Sequence, residues 1–462
     1  MADGPASSNG PSPGDDGAVR RSGWLEALGL HRRELRAWTM YDWANSAFAT
    51  TIMGALASPF YAGVAASHLP PNMRTAYWGW TTSIALFVIA IISPVLGAVA
   101  DYLGSKKRFL AFFAGIGILF TSFLCLVGEG EWLFASGVFI VANIGFAGAN
   151  VFYESLLPCI ANEKEVDRVS TAGYAMGYVG GGLLLALNFV WIAWPESFGL
   201  RDVEQATRLS FFSVSVWWAL FSVPLFRRVK EPPRALEVDE TLEVSPLRIG
   251  FGRVRETLGE LRQHRQVFLF LLAFWFYNDG IGSIIKMAAI FATEIGLSTQ
   301  DILLTFLAVQ FLGIPFTFGF GWLAGKIGAK RGLQLSLVVY LLICIFGYFV
   351  TTPAHFFAMG LAVATVQGGA QALSRSIFAT IVPRSKSSQF FGFFSVSAKF
   401  AGIFGPFIFA TVSMALGSSR PAIASLVIFF FIGMFFLARL DLEEGRRVAL
   451  EEDAEMRMVE VG

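Results

Sequence analysis

The chain has 462 residues, 55% hydrophobic and 15% charged, with 47 Phe, 47 Gly and a formal net charge of +1. Soluble domains carry about a quarter charged residues. This composition and a mean hydropathy of +0.59 therefore exclude a soluble globular protein and specify an all-α polytopic membrane protein, while the net charge says nothing about nucleic acid.

Residues 1–36 open the chain as a basic, disordered tail. Residues 1–23 are rich in Gly, Pro, Ser and Asp and hold no apolar run that a signal peptide would need. A membrane helix takes about 20 mostly apolar residues. Runs of that kind occupy 38–64, 75–100, 109–127, 132–157, 170–194 and 209–226, which places a six-helix bundle at 37–226. A second six, 266–292, 301–324, 333–352, 355–382, 390–416 and 421–440, places another at 266–440. Between them, 227–265 reads as a polar coil followed by an amphipathic surface helix. The tail 441–462 is charged and reads as a loose helix.

The two halves carry a related turn. Gly97, Gly104 and Lys106–Lys107 return as Gly321, Gly328 and Lys330–Arg331 at an offset of 224 residues, so the halves are parallel repeats. Basic residues set the orientation. Lys106, Lys107, Arg108, Lys164, Arg168, Lys326, Lys330, Arg331, Arg384 and Lys386 lie in one set of loops, and the middle segment adds more. The opposite loops hold Arg74, Arg201, Arg208 and Arg420. The basic side is expected to be cytosolic, with both termini there. The compact loops suit a bacterial cytoplasmic membrane.

A charged side chain at the bilayer centre costs about 2.5–3.5 kcal/mol on the mildest insertion scale, so such residues face protein or a wet cavity. Asp42 is on the first run, Glu154 on the fourth, Asp279 and Lys286 on the seventh, Arg375 on the tenth and Lys399 on the eleventh. Helical spacing extends them into polar stripes with Asn45, Asn143, Asn150, Ser283, Gln367 and Gln371. Two explanations stand for each group. Asp42 is either a functional acid or a helix-start acid at the N-terminal dipole. Glu154 and Arg375 either latch the cytosolic gate or touch substrate. Asp279, Lys286 and Lys399 either serve substrate or coupling ion, or form an ion pair inside one half.

The isolated cysteines Cys125, Cys159 and Cys344 offer no disulfide framework and no metal spacing, and no cofactor is expected. An enzyme would need clustered His, Asp or Cys with ligand or nucleophile spacing, which the sequence lacks.

The turn Gly97–Lys107 resembles the loop signature of the major facilitator superfamily. That resemblance implies a cytosolic-gate role for Asp101, Gly104, Lys106 and Lys107 and, in the second copy, Lys330 and Arg331. The second copy has Gly325 where the acid stands. YDWANSAFATTI (41–52), GYAMGYVGG (173–181), FYNDG (276–280), QALSRSIFATIVP (371–383) and FFGFFSVSAKFAGIFGP (390–406) resemble the branch that includes the yeast vacuolar amino-acid effluxer. The superfamily's mid-helix-4 Arg and its helix-5 Gly-Pro are absent; Gly177 is followed by Tyr178.

The resemblance implies a major facilitator fold with 12 transmembrane helices in two pseudo-symmetric bundles. It also implies a secondary transporter of a small solute, amino acids above all, working by alternating access. The expected binding or coupling set is Asp42, Asn45, Asp279, Lys286, Gln367, Gln371 and Lys399. The expected partners are a small-molecule substrate, H+ or Na+ as coupling ion, and the lipid bilayer, with no nucleic acid and a monomeric state. The alternative is an exporter of amphipathic drugs or lipids, suggested by the many aromatic residues.

Overall fold

The computed structural model describes residues 25–26, 30–161, 166–231, 259, 264–383, 390, 393–394, 397–398 and 401–461. Every regular element among them is helical. The N-terminal half holds α1 (Arg33–Ala65), α2 (Pro71–Leu103), α3 (Lys106–Phe123), α4 (Trp132–Ile160), α5 (Val166–Ala193) and α6 (Val203–Arg228). The C-terminal half holds α7 (Arg265–Glu294), α8 (Thr299–Ile327), α9 (Ala329–Tyr348), α10 (Pro353–Ile381), α11 (Phe404–Leu416) and α12 (Ser419–Arg439). Eleven of these are long and apolar enough to cross a membrane, and α11 is a shorter apolar helix. A last helix, α13 (Leu442–Val461), follows. The expected amphipathic linker helix lies outside the described residues.

The repeated turn has a physical basis. Gly104 and Gly328, one repeat offset apart, take φ of 61° and 91°, a region where a Cβ is strained. Each turn then presents a lysine to the end of its half's sixth helix. Lys107 Nζ donates to Val229 O at 2.6 Å. Lys330 Nζ donates to Leu440 O at 2.6 Å and Ala438 O at 3.1 Å. A cation there satisfies orphan carbonyls and opposes the helix dipole. The ends carrying these turns form the basic end of the molecule, and the opposite ends form its far end.

Two helices depart from the regular spans expected. α1 is π-helical over Phe48–Leu56 and Tyr61–Ala65. Pro59 lies between these stretches and removes one i→i−4 donor. The expected continuous helix over 390–416 is interrupted: α11 begins at Phe404, after a turn in which Gly402 has φ of 113°. Pro406 then sits in the first turn of α11, where its missing N–H costs nothing.

The hydrophobic effect does little to join helices in lipid, so small residues that let backbones approach carry the packing. Gly173, Gly177, Gly180 and Gly181 of α5 form such a face against α1. A Cβ at these positions would strike Asp42, Ser46, Trp43 and Thr50. The motif GYAMGYVGG is thus a packing seam. The tail helix α13 is docked rather than loose: Gln266 of α7 bonds Glu444, and Gln266 Oε1 accepts Asp441 N at 3.0 Å. Gly445 lies against Ile381 of α10.

Candidate solute-binding site

A cavity of about 270 Å³ lies between the halves. Its walls come from α1, α5, α7, α8 and α10, and among the lining residues none belongs to α4. The walls are graded. Towards the basic end stand Ser46, Tyr174, Tyr178, Gln310 and Gln367. Towards the far end stand Gly54, Leu185, Ala288, Phe306, Phe356 and Met359. The described lining contains no ionised side chain.

Charge gathers at the basic mouth instead. Arg375 Nη2 of α10 donates to Tyr174 Oη of α5 at 2.9 Å, with the guanidinium carbon 5.0 Å from the ring centroid. Asp42 of α1 and Glu154 of α4 both interact electrostatically with the same phenol. Asp42 accepts from Tyr153 Oη at 2.8 Å, and Tyr153 stacks on Trp38 with centroids 4.4 Å apart. Tyr153 and Trp38 therefore build an aromatic socket that holds the carboxylate of the YDWANSAF motif beside the mouth.

The remaining expected residues are placed as follows. Asn45 is buried and donates to Asn150 Oδ1 at 2.6 Å, inside the N-terminal bundle. Gln367 lines the cavity, while Gln371 is exposed one turn nearer the basic end. Asp279 does not line the cavity. It is 1% exposed and turned into its own bundle, where it accepts Gly405 N at 2.9 Å and Phe404 N at 3.1 Å. Ser283 Oγ adds a contact at 3.3 Å. Asp279 is thus the anionic cap of the interrupted helix α11. Lys286, two turns further along α7, lies beside Gly402 and within electrostatic reach of Asp279. The described contacts of Lys106 and Lys107 stay within the N-terminal bundle and its flanking residues, to Ser155 O, Val229 O and Glu231. Those of Lys330 stay in the C-terminal half, and Arg331 is exposed. Lys399 and the side chain of Asp101 lie outside the described residues.

The two ends of the gap differ. At the far end Thr75 of α2 bonds Glu294 of α7, whose other oxygen accepts Ser419 N at 2.8 Å. Deeper, Ser83 Oγ of α2 donates to Ile403 O at 3.0 Å. Gly79 is so close to Pro406 and Ala410 that a Cβ would overlap them. At the basic end Glu154, Tyr174, Gln371 and Arg375 are exposed. Among the described residues the halves are joined at the far end by these backbone and side-chain contacts, and at the basic end by the more exposed Arg375–Tyr174 pair. Glu294 escaped the sequence reading because an acid at a helix terminus looks like any solvated end; its sole signal was its place at the limit of an apolar run.

Two helical halves around a central cavity define a major facilitator-type transporter. Solved structures agree in fold. The chain superposes on a D-xylose-proton symporter with a TM-score of 0.63 at 15% identity, covering 91% of this chain and 99% of that one. It superposes on a bacterial homologue of the human lysosomal transporter Spinster, inward-facing and unoccupied, with a TM-score of 0.60 at 17% identity, covering 96% and 99%.

Residues 72–450 match the model of the family described as "Vacuole effluxer Atg22 like", and the chain belongs to that family. It is 35% identical to the MFS-type transporter YxiO of Bacillus subtilis over 91% of this chain and 98% of that protein. It is 24% identical to autophagy-related protein 22 of Saccharomyces cerevisiae over 80% of each. The protein is a multi-pass membrane transporter and not an enzyme.

Proposed function

We propose that this transporter carries small zwitterionic solutes, amino acids above all, by alternating access as a secondary active transporter. The gradient of the cavity supports this reading. An apolar group fits the far end and neutral hydroxyl and amide groups meet the middle, while Arg375, Asp42 and Glu154 stand at the mouth, where a solute's carboxylate and ammonium are met on entry. A solute with equal affinity for both states shifts nothing, so binding must favour one state to drive the switch. Asp42 and Glu154 stand where a coupling proton or Na+ enters, whereas Asp279 is engaged with α11. The basic-end bias of Lys and Arg supports a cytosolic basic end, and the Bacillus relative supports a bacterial cytoplasmic membrane.

The apolar far-end walls also favour a second reading, export of amphipathic drugs or lipids. One experiment separates the two. Purified protein in liposomes is tested with labelled amino acids and with a fluorescent amphipathic cation, with and without pH and Na+ gradients. We expect gradient-dependent flux of at least one amino acid, reduced in Arg375→Gln. No amino-acid flux above protein-free liposomes overturns the first reading, and flux of the cation alone selects the second.

A further inference from the structure

Towards the far end of the cavity the two halves meet in a close contact. Phe306 of α8 lies on Gly54 of α1, so closely that a Cβ at Gly54 would stand 3.2 Å from Phe306 Cε1 and 3.3 Å from Ala49 O. Gly54 falls in the π-helical stretch Phe48–Leu56, where the widened helix changes which residues face the gap. A second glycine fixes the other side: Gly360 of α10 admits the methyl group of Thr305, the neighbour of Phe306. The ring is thus seated on bare backbone with its helix pinned alongside. All of these residues line the cavity, and none carries a charge.

We propose that Phe306, seated on Gly54, sets the size limit for the apolar end of the transported solute. The inference rests on the cavity being the solute's site. A methylene more or less in an apolar pocket changes discrimination by about 10–200-fold, so removing this ring admits larger aromatic groups. A side chain at position 54 pushes the ring inward and excludes them.

The test uses full-length protein with Cys125, Cys159 and Cys344 replaced by Ser and Ala288→Cys as reporter on the cavity wall. Its labelling rates with methyl and benzyl methanethiosulfonate are compared in the reporter background, Phe306→Ala and Gly54→Ala, each checked for monodisperse elution. We expect Phe306→Ala to raise the benzyl rate about tenfold while the methyl rate stays within about twofold, and Gly54→Ala to lower the benzyl rate. Phe306→Leu serves if the alanine variant does not fold, with an intermediate rise expected. A benzyl-to-methyl ratio unchanged by Phe306 substitution overturns the proposal, as does a reporter that the methyl reagent never reaches. In liposomes the tryptophan-to-leucine uptake ratio should rise in Phe306→Ala. A changed reagent ratio without amino-acid flux supports the size limit and discards the amino-acid reading.

Discussion

Asp42 and Asp279 are the same residue type, each midway or less along the first helix of its half, and the structure uses them in opposite ways. Asp42 faces an aromatic socket at the cavity mouth, held by one tyrosine hydroxyl. Asp279 points away from the cavity and holds two backbone N–H groups at the start of α11. A buried acid in a membrane helix is thus no proof of a transport role. What separates the two is the state of the neighbouring backbone. α5 offers Asp42 a closely packed glycine face, whereas the interrupted α11 offers Asp279 unpaired donors that must be satisfied.

The largest expected effect breaks or confirms this contrast. A hydrogen bond to a charged acceptor contributes about 1.5–3 kcal/mol, so Asp279→Ala should cost about 3 kcal/mol or more by thermal unfolding in detergent. Asp42→Asn keeps an acceptor for Tyr153 and should stay near parental stability while losing flux. If the Asp42 variant unfolds and the Asp279 variant folds but does not transport, the contrast is reversed. Next in size, Gly177→Val forces a branched side chain onto Ser46. Overpacking of this kind costs about 1–3 kcal/mol, and the same assay should show it, whereas Gly199→Ala, at a far-end turn with no atom nearby, should change less despite its positive φ.

Smaller effects concern the two ends of the gap. Glu294→Ala removes the link between Thr75 and Ser419. A loss of about 1–2 kcal/mol from the far-closed state alters its ratio to the far-open state by roughly five- to thirtyfold. Disulfide trapping of cysteines placed at His68 and Leu416 should fall accordingly. Smallest of all, Lys330→Ala removes a helix-end cation worth about 0.3–1 kcal/mol and should lower the unfolding temperature slightly without altering far-end trapping. A change in trapping would instead assign the basic turn to the gate.

Much of the architecture was legible before any coordinates. Twelve apolar runs, the parallel repeat and the glycines of the repeated turn follow from hydropathy and spacing, because lipid leaves the backbone few alternatives. The glycine face of α5 was visible as a motif, though its role as a packing seam was not. The facing of Asp279 was hidden. A polar stripe at helical spacing does not say whether it meets the gap between halves or another helix of its own half. The interruption before Phe404 was hidden too, since Gly402, Gly405 and Pro406 are tolerated inside membrane helices. The far-end lining escaped for a simpler reason: Phe306, Phe356 and Met359 have the composition of lipid-facing residues. Gln367 was legible because an amide in an apolar run needs a polar surrounding.

The central claim is that one cavity serves both sides of the membrane through opposed motion of its two ends. Spin-label distances test it most directly, with one pair at His68 and Leu416 on the far end and another at Leu103 and Lys326 on the basic end. On adding a transported amino acid to the reconstituted protein, we expect the far-end distances to lengthen while the basic-end distances shorten. Distances that stay fixed at both ends during measurable flux, or that change in the same direction, contradict the claim.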